Sequence, residues 1–228
     1  MRFHFPDSSR LLASRAALCG LLASAMLPAT AAAADPPPPA VAVIDADEIV
    51  FDHSQAEWAE DYLQWIASFA RDSSPLSDAT GAQCAAKQRG EVWFLASSDG
   101  TAPIVRACAI PAGKTLFVPV VSTMERSNSP QPNCAAMARL AAGALGRVSR
   151  LSMTIDGQPV QDLGSHRLPT GDCFALGARQ TAGSSAKAAV ADGYYVMLAP
   201  LPPGPHTIAV DARIDSTTLS TTYHLDVH

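Results

Sequence analysis

In the last third of the chain, an apolar run at residues 194–199 is followed by two alternating stretches. Residues 206–214 and 221–227 carry apolar side chains at every second position. Successive side chains of a strand point to opposite faces of a sheet, so this period of two predicts strands with one buried and one solvated face. Residues 202–205, PPGP, separate the apolar run from the first alternating stretch. Proline fixes the backbone and removes a donor, so we predict a structural corner there.

A second group of apolar runs precedes the middle of the chain. Strands are expected at residues 91–96, 104–110 and 114–121. Asp99-Gly100 and the tripeptide PAG at 111–113 lie between them, and both are typical turn sequences. We therefore predict an antiparallel meander of three strands.

A period near 3.6 marks residues 54–71 as an amphipathic helix. Ser54 is a natural N-cap, and Glu57 three residues later completes a capping box. The helix should end near Arg71, and the alanine-rich residues 134–147 predict a second helix. The apolar stripe of the first helix comprises Trp58, Tyr62, Trp65, Ile66 and Phe69.

The remaining segments complete a mainly β pattern. Weak alternation at 41–45 predicts a short first strand, and Asp156-Gly157 predicts a tight hairpin after residues 151–155. Polar, aperiodic stretches predict loops; they are residues 74–90, 122–133 and 164–189. Short strands separated by proline and glycine turns favour a single antiparallel β-sandwich or jelly-roll-like domain with one or two packed helices.

The first 34 residues have the order of a secretory signal peptide. Arginines come first, an apolar run of about 12 residues follows at 16–27, and Ala32-x-Ala34 gives a cleavage site. The apolar run is shorter than the roughly 20 residues that span a bilayer, so no transmembrane segment is expected in the mature chain. Residues 35–53 are predicted as a proline-rich tether with the first short strand, and 54–228 as the domain. The expected location is periplasmic or secreted.

Charge limits the classes of binding partner, and the cysteine content predicts disulfides. The formal net charge is −5 and no basic cluster is present, which argues against nucleic acid or an anionic membrane as partner. An exported chain with four mature cysteines favours two disulfides. Of the three pairings that four cysteines allow, we prefer Cys84–Cys108 and Cys134–Cys173. The sequence has no Cys-x-x-Cys or His-Glu-x-x-His, and it predicts neither a metal site nor a cofactor.

Five segments together resemble a group of exported bacterial proteins of uncharacterised role. They are EWAEDYLQW, DATGAQC, VWFLA, IPAGKTLFVPV and ADGYYVMLAPLPPGPHTI, and the resemblance extends over roughly residues 54–225. That group shares a Trp-rich helix, a DxTGxxC loop, a WFL strand and a PPGxH corner. The resemblance implies a common fold, and it carries no chemistry that transfers a catalytic role.

Three polar residues are candidates for chemistry. Asp78 and Asp192 stand in glycine-containing turns, where they either form a carboxylate pair or accept backbone N–H groups in Asx turns. His206 lies on an otherwise apolar strand face, as a hydrogen-bonded histidine or as a ligand.

Two further residues are candidates for a binding surface. Trp93 is the tryptophan we expect to be exposed, because its strand neighbours point the opposite way. Arg106 lies in an apolar strand and is expected to reach solvent or to pair with Glu91 or Asp78.

Three functions remain open from the sequence. The first is a non-catalytic exported β-sandwich module that binds a glycan or an envelope protein. The second is a small secreted hydrolase that uses Asp78, Asp192 or His206. The third is a structural or assembly protein of the cell envelope, which an exposed apolar patch or an open edge strand at the C-terminus would favour.

Overall fold

The computed structural model describes residues 41–98, 100, 102–177 and 187–228. The predicted signal peptide and the proline-rich residues 35–40 lie outside the described residues, as does the middle of the predicted loop 164–189. Within the described ranges, no helix is both long and apolar enough to span a membrane.

The first sheet is built around two long central strands. Its path runs from β1 (Val43–Ile44) through β9 (Lys187–Leu198) and β4 (Thr115–Ser127) to β2 (Val92–Phe94). Two short strands, β7 (Arg167–Pro169) and β8 (Phe174–Leu176), also pair with β9. β4 and β9 are antiparallel, whereas β2 and β4 are parallel.

The second sheet has five strands, in the order β3-β11-β10-β5-β6. They are β3 (Ile104–Ile110), β11 (Thr217–Val227), β10 (Gly204–Ile214), β5 (Val148–Ile155) and β6 (Gln158–Pro159). β10 is antiparallel to both of its neighbours, and β3 is parallel to β11. The C-terminal strand β11 is therefore paired on both sides, so it is not the open edge that an assembly role would favour.

The two sheets pack face to face around one apolar core. Inward-facing residues of β10, such as Ile208 and Val210, meet residues of β4 and β9, such as Val118 and Val196. Burial alternates along β10 as the sequence predicts, with every second side chain in the core. The predicted β-sandwich is confirmed.

The helix α1 (Gln55–Ala67) adds a third layer over the outer face of the first sheet. Its capping box forms as predicted: the Ser54 side chain accepts from Glu57 N, and the Glu57 carboxylate accepts from Ser54 N. Tyr62 lies at the centre of the interface, with its ring about 6 Å from those of Phe94, Phe117 and Tyr195. A second helix, α2 (Cys134–Leu145), packs against β4 and β9.

The predicted meander at residues 91–121 is wrong. β2 and β4 are parallel neighbours in the first sheet, whereas β3 between them crosses to the second sheet. The turn predicted at 111–113 forms, and the one at Asp99-Gly100 lies partly outside the described residues; a tight turn in any case fixes only the local reversal of the chain. Which sheet a strand joins depends on partners such as β11, more than 100 residues away.

Two predicted loops are partly wrong. Residues 122–127 continue β4, and β7 and β8 form within 164–189. All three segments pair with β9, and this pairing is made by backbone hydrogen bonds that polar side chains do not prevent.

Both preferred disulfides are present. Cys84 pairs with Cys108 and Cys134 with Cys173, at Cα–Cα separations of 5.7 and 5.4 Å. The Asp156-Gly157 hairpin also forms, with both residues at positive φ (50° and 77°), as a two-residue primed turn requires.

Candidate functional site

Asp78 organises the loop that contains the DATGAQC sequence. Its Oδ1 accepts hydrogen bonds from Thr80 N at 2.9 Å and Gly81 N at 3.1 Å, and its Oδ2 accepts from Gln83 N at 2.8 Å. Partial burial raises the pKa of Asp78, but these bonds outweigh it, and the pKa lies below its usual value. The carboxylate is therefore an acceptor for its own loop.

Arg106 is a buried cation with 1 % of its surface exposed. Its Nε donates to the main-chain carbonyl of Asp78 at 2.7 Å, and its terminal amino groups donate to Tyr223 Oη at 2.8 Å and to Pro75 O at 2.7 Å. Further bonds go to carbonyls of 76, 96 and 97. The expected carboxylate pairing does not form among the described residues, because the guanidinium binds carbonyls of two chain segments.

Gly81 brings the same loop directly against strand β3. The backbone N–H of Ala107 donates to Thr80 O at 3.0 Å, and a Cβ at Gly81 would lie 2.3 Å from Ala107 O. The Cys84–Cys108 disulfide crosses one residue away. We call Asp78, Gly81, Arg106 and this disulfide the loop clasp. Since β3 is an edge strand, the loop clasp also covers part of an exposed sheet edge.

A small cavity lies beside the loop clasp. It is lined by Trp65, Phe94, Arg106 and Tyr223 among others, and its volume is about 10 Å³. Such a space holds about one water molecule and no organic substrate.

Asp192 lies on β9 with 3 % of its surface exposed. Its carboxylate accepts hydrogen bonds from two nitrogens of Arg167. Arg167 Nη2 lies 2.6 Å from Oδ2, and Nε lies 3.1 Å from Oδ1. The strands β7 and β9 are adjacent, so this ion pair fastens a short edge strand to the sheet. No sequence signal links the two residues, which are 25 positions apart.

His206 holds the PPGP corner. Its Nδ1 lies 2.7 Å from the Asp156 carboxylate, and its Nε2 lies 2.9 Å from the carbonyl of Pro202. Asp156 also accepts from Thr207 N at 2.7 Å, so this contact joins the β5–β6 turn to β10. The hydrogen-bonded alternative for His206 is the one the structure contains.

Trp93 does not form a surface platform. Its neighbours Val92 and Phe94 do point the opposite way, but both faces of β2 are covered, one by α1 and the other by the second sheet. Trp93 is therefore 8 % exposed and lies in the sandwich core. Trp65 is buried as well, and Trp58 is partly buried.

The structure thus brings together some of the predicted residues and separates others. Asp78, Arg106 and the Cys84–Cys108 disulfide converge in the loop clasp. Asp192 and His206 each have partners of their own, and no hydrogen bond or ion pair links them to Asp78 within the described part of the chain.

One further group has the composition of a metal site. Ligand atoms of Cys134, Asp172 and Cys173 lie within 4.8 Å of one another. Both sulfurs are already joined in the second disulfide, so the group offers no thiolate to a metal.

Buried His166 gives the fold a pH dependence. It is 4 % exposed, and burial lowers its pKa below the usual 6.5, although Asp45 and Asp162 act in the opposite direction. The unfolded chain therefore binds the proton more tightly, and stability falls as pH drops below about 6.5.

We predict that wild-type protein loses more thermal stability between pH 7.5 and pH 5 than His166→Gln, which stays neutral throughout. Thermal unfolding followed by circular dichroism at both pH values measures the difference. Equal losses in the two proteins would show that His166 does not contribute.

Among the residues that the structure describes, the outer face of the second sheet has no covering layer. Within the described ranges, no helix or further strand packs against it. Its side chains are short and polar in the middle and lie in register across four strands. We call this surface the open face; its rows are Val105–Thr222–Ala209–Thr154, Ser220–Asp211–Ser152 and Thr218–Arg213–Arg150.

Comparison with known proteins gives only weak likenesses. No family model matches the chain, and no curated protein matches it. The solution structure of Amebosin aligns at 9 % identity and a TM-score of 0.22, covering 62 % of this chain and all of that one. The structure of PbICP-C in complex with falcipain-2 aligns at 9 % identity and a TM-score of 0.27, covering 61 % of this chain and all of that one. Scores this low transfer neither fold nor function.

Proposed function

We propose that the protein is an exported, non-catalytic β-sandwich module that binds a glycan on its open face. Two disulfides support a location in an oxidising compartment, and the predicted signal peptide supports export to the periplasm or beyond. No resident cofactor or metal is part of this proposal.

The observation that carries the proposal is the contrast between the two sheets. The first sheet is covered on one face by α1 and on the other by the second sheet. The second sheet uses only its inner face for the core. Its open face carries short side chains in the middle rows and the longer side chains of Arg150 and Arg213 at one end.

The chemistry of the open face favours a polar ligand. Hydroxyl, carboxylate and imidazole groups lie there, as in Thr154, Asp211 and His224, and Val105 is the large apolar side chain exposed at its edge. Stable protein interfaces have an apolar core, which this face lacks, whereas its hydroxyl and carboxylate groups are able to exchange hydrogen bonds with the hydroxyl groups of a sugar. We therefore place a glycan ahead of a protein partner.

An envelope protein is the second candidate for a binding partner, and a different surface supports it. Ile49 and Phe51 are 61 % and 50 % exposed on the loop that precedes α1. Two large apolar side chains this close in the chain are typical of a contact with another protein. This surface lies on the covered side of the first sheet, so its use would not involve the open face.

The hydrolase hypothesis has no comparable support. Asp78 accepts only from its own loop, Asp192 is ion-paired to Arg167, and His206 binds Asp156. A shared acid–base mechanism needs two such groups within hydrogen-bond reach of one substrate atom.

Retention on immobilised polysaccharides and on isolated cell wall tests the glycan proposal. Ala209→Gln places a longer side chain in the central row and should reduce retention about tenfold, equivalent to about 1.4 kcal/mol. Ala85→Gln makes the same change at an exposed loop position and should leave retention unchanged. Equal retention of the two variants, or no retention of wild type on any glycan, would contradict the proposal.

A further inference from the structure

Two arginines lie directly opposite each other at one end of the open face. Arg213 on β10 and Arg150 on β5 are register partners, the last pair before the register shifts. Partners of this kind share a face, with Cβ atoms roughly 4.5–5.5 Å apart. Like charges in such a pair destabilise the sheet, so this arrangement costs stability and is unusual in a chain of net charge −5.

The surroundings do not neutralise this pair. A third arginine, Arg147, is nearby in sequence but is already paired with Asp215, at 2.8 Å from Nε to Oδ2. Asp211 lies in the next row of the same face, and no ion pair joins it to either arginine within the described residues. Arg150, Arg213 and Asp211 together keep a net positive charge.

Arg213 is held in place for binding. Its Nε donates to the main-chain carbonyl of Asp215 at 3.3 Å, which leaves the two terminal amino groups for another acceptor. Thr218 on β11 lies beside Arg213 on the side away from Arg150, and its hydroxyl belongs to the same row of the open face. A planar guanidinium fork next to a second one matches the two oxygens of a carboxylate.

We propose that Arg150 and Arg213 bind the carboxylates of an acidic polysaccharide that lies along the open face. The inference rests on the glycan-binding function proposed above and names its ligand class. An anion between the two guanidinium groups removes their mutual repulsion. Uronic acid residues supply such anions at regular spacing, and their hydroxyls meet the serine and threonine rows of the same face.

The test uses the full exported protein with polygalacturonate as probe, and with neutral dextran, dextran sulfate and inorganic phosphate for comparison. Arg150→Gln should lower the affinity for polygalacturonate by at least about tenfold, since a charge-assisted bond is lost. Arg89→Gln, which removes the same charge from an exposed loop position, should leave the affinity unchanged.

Thermal unfolding separates binding from a structural role. Without ligand, Arg150→Gln should unfold at the same or a higher temperature than wild type, because the like-charge pair is gone. Polygalacturonate should raise the unfolding temperature of wild type above that in sodium chloride of equal ionic strength, and should not do so for Arg150→Gln.

Four results would overturn the inference. They are equal affinity loss in Arg150→Gln and Arg89→Gln, stabilisation of wild type by phosphate but not by polygalacturonate, preference for dextran sulfate over polygalacturonate, and a lower unfolding temperature of ligand-free Arg150→Gln. If Ala209→Gln still impairs retention on a neutral glycan, the proposed function stands and only its ligand class is wrong. If wild type is retained on no glycan, both fail.

Discussion

Replacing Arg106 by methionine should lower the free energy of unfolding by on the order of 4 kcal/mol, because several buried carbonyls lose their donor at once. Replacement of a buried ion pair by apolar residues is often neutral, since both charges leave together. Here most partners are main-chain carbonyls, those of residues 75, 76, 78, 96 and 97, which remain when the guanidinium is removed. Loop 74–90 should then detach from β3 except at its disulfide.

Urea unfolding of Arg106→Met measures this change. Arg126→Met is the matched control, because Arg126 is an exposed arginine on β4, and it should change stability by less than about 0.5 kcal/mol. Arg106→Lys keeps the charge but replaces the planar guanidinium by an ammonium with three donors. Its free energy of unfolding should therefore lie between those of Arg106→Met and wild type. Similar midpoints for Arg106→Met and Arg126→Met would show that the loop clasp does not depend on the guanidinium.

Substitution of Gly81 by alanine should be the second most damaging change. The backbone φ of Gly81 is +97°, and the new Cβ would lie 2.3 Å from the carbonyl oxygen of Ala107. The atoms nearest to the new Cβ all belong to the backbone of Ala107, which cannot turn aside as a side chain can. The loop must therefore move away from β3 and break the Thr80–Ala107 hydrogen bond. We expect a loss of roughly 3 kcal/mol or more, in the range of strained backbone positions.

Gly90→Ala separates the two causes of this loss. Gly90 also has a positive φ, +70°, but nothing lies within 4 Å of its Cβ position. It should therefore show only the conformational cost of about 1–2 kcal/mol. Chemical denaturation of both variants gives the comparison, and equal losses would mean that close approach of loop and strand contributes nothing.

Much of the fold follows from local sequence. The Ser54–Glu57 capping box, the Asp156-Gly157 turn and the alternation along β10 depend on neighbouring residues, and all three form as predicted. Sheet membership does not follow from local sequence. β3 joins β11 and β2 joins β4 in parallel pairs, and such pairings between distant segments leave no periodic signal of their own.

The candidate residues show the same division. The sequence identifies Asp78, Arg106, Asp192 and His206 as unusual polar residues, and each of them has hydrogen-bond partners inside the protein. The partners of the Asp78 carboxylate are N–H groups of its own turn, which the sequence offered as one alternative. The sequence does not show the carbonyls that Arg106 binds, nor Arg167 and Asp156, which are 25 and 50 positions away from Asp192 and His206. The expected exposure of Trp93 is wrong for a similar reason. Alternation shows which residues share a face of a strand, whereas the layers packed on that face determine whether it is exposed.

The open face could not be found by searching for chemical motifs. Its residues are ordinary serines, threonines and arginines, and only the strand register places Arg150 opposite Arg213. The register is a property of the folded sheet.

Mapping of amide chemical shifts during titration with polygalacturonate tests the central claim most directly. The largest changes should fall on outward-facing positions of the second sheet, at Arg150, Ser152, Ala209 and Thr222. Residues of the loop clasp and those around Asp192 should remain unchanged. Shift changes concentrated at Asp78, Asp192 or His206, with the open face unaffected, would contradict it.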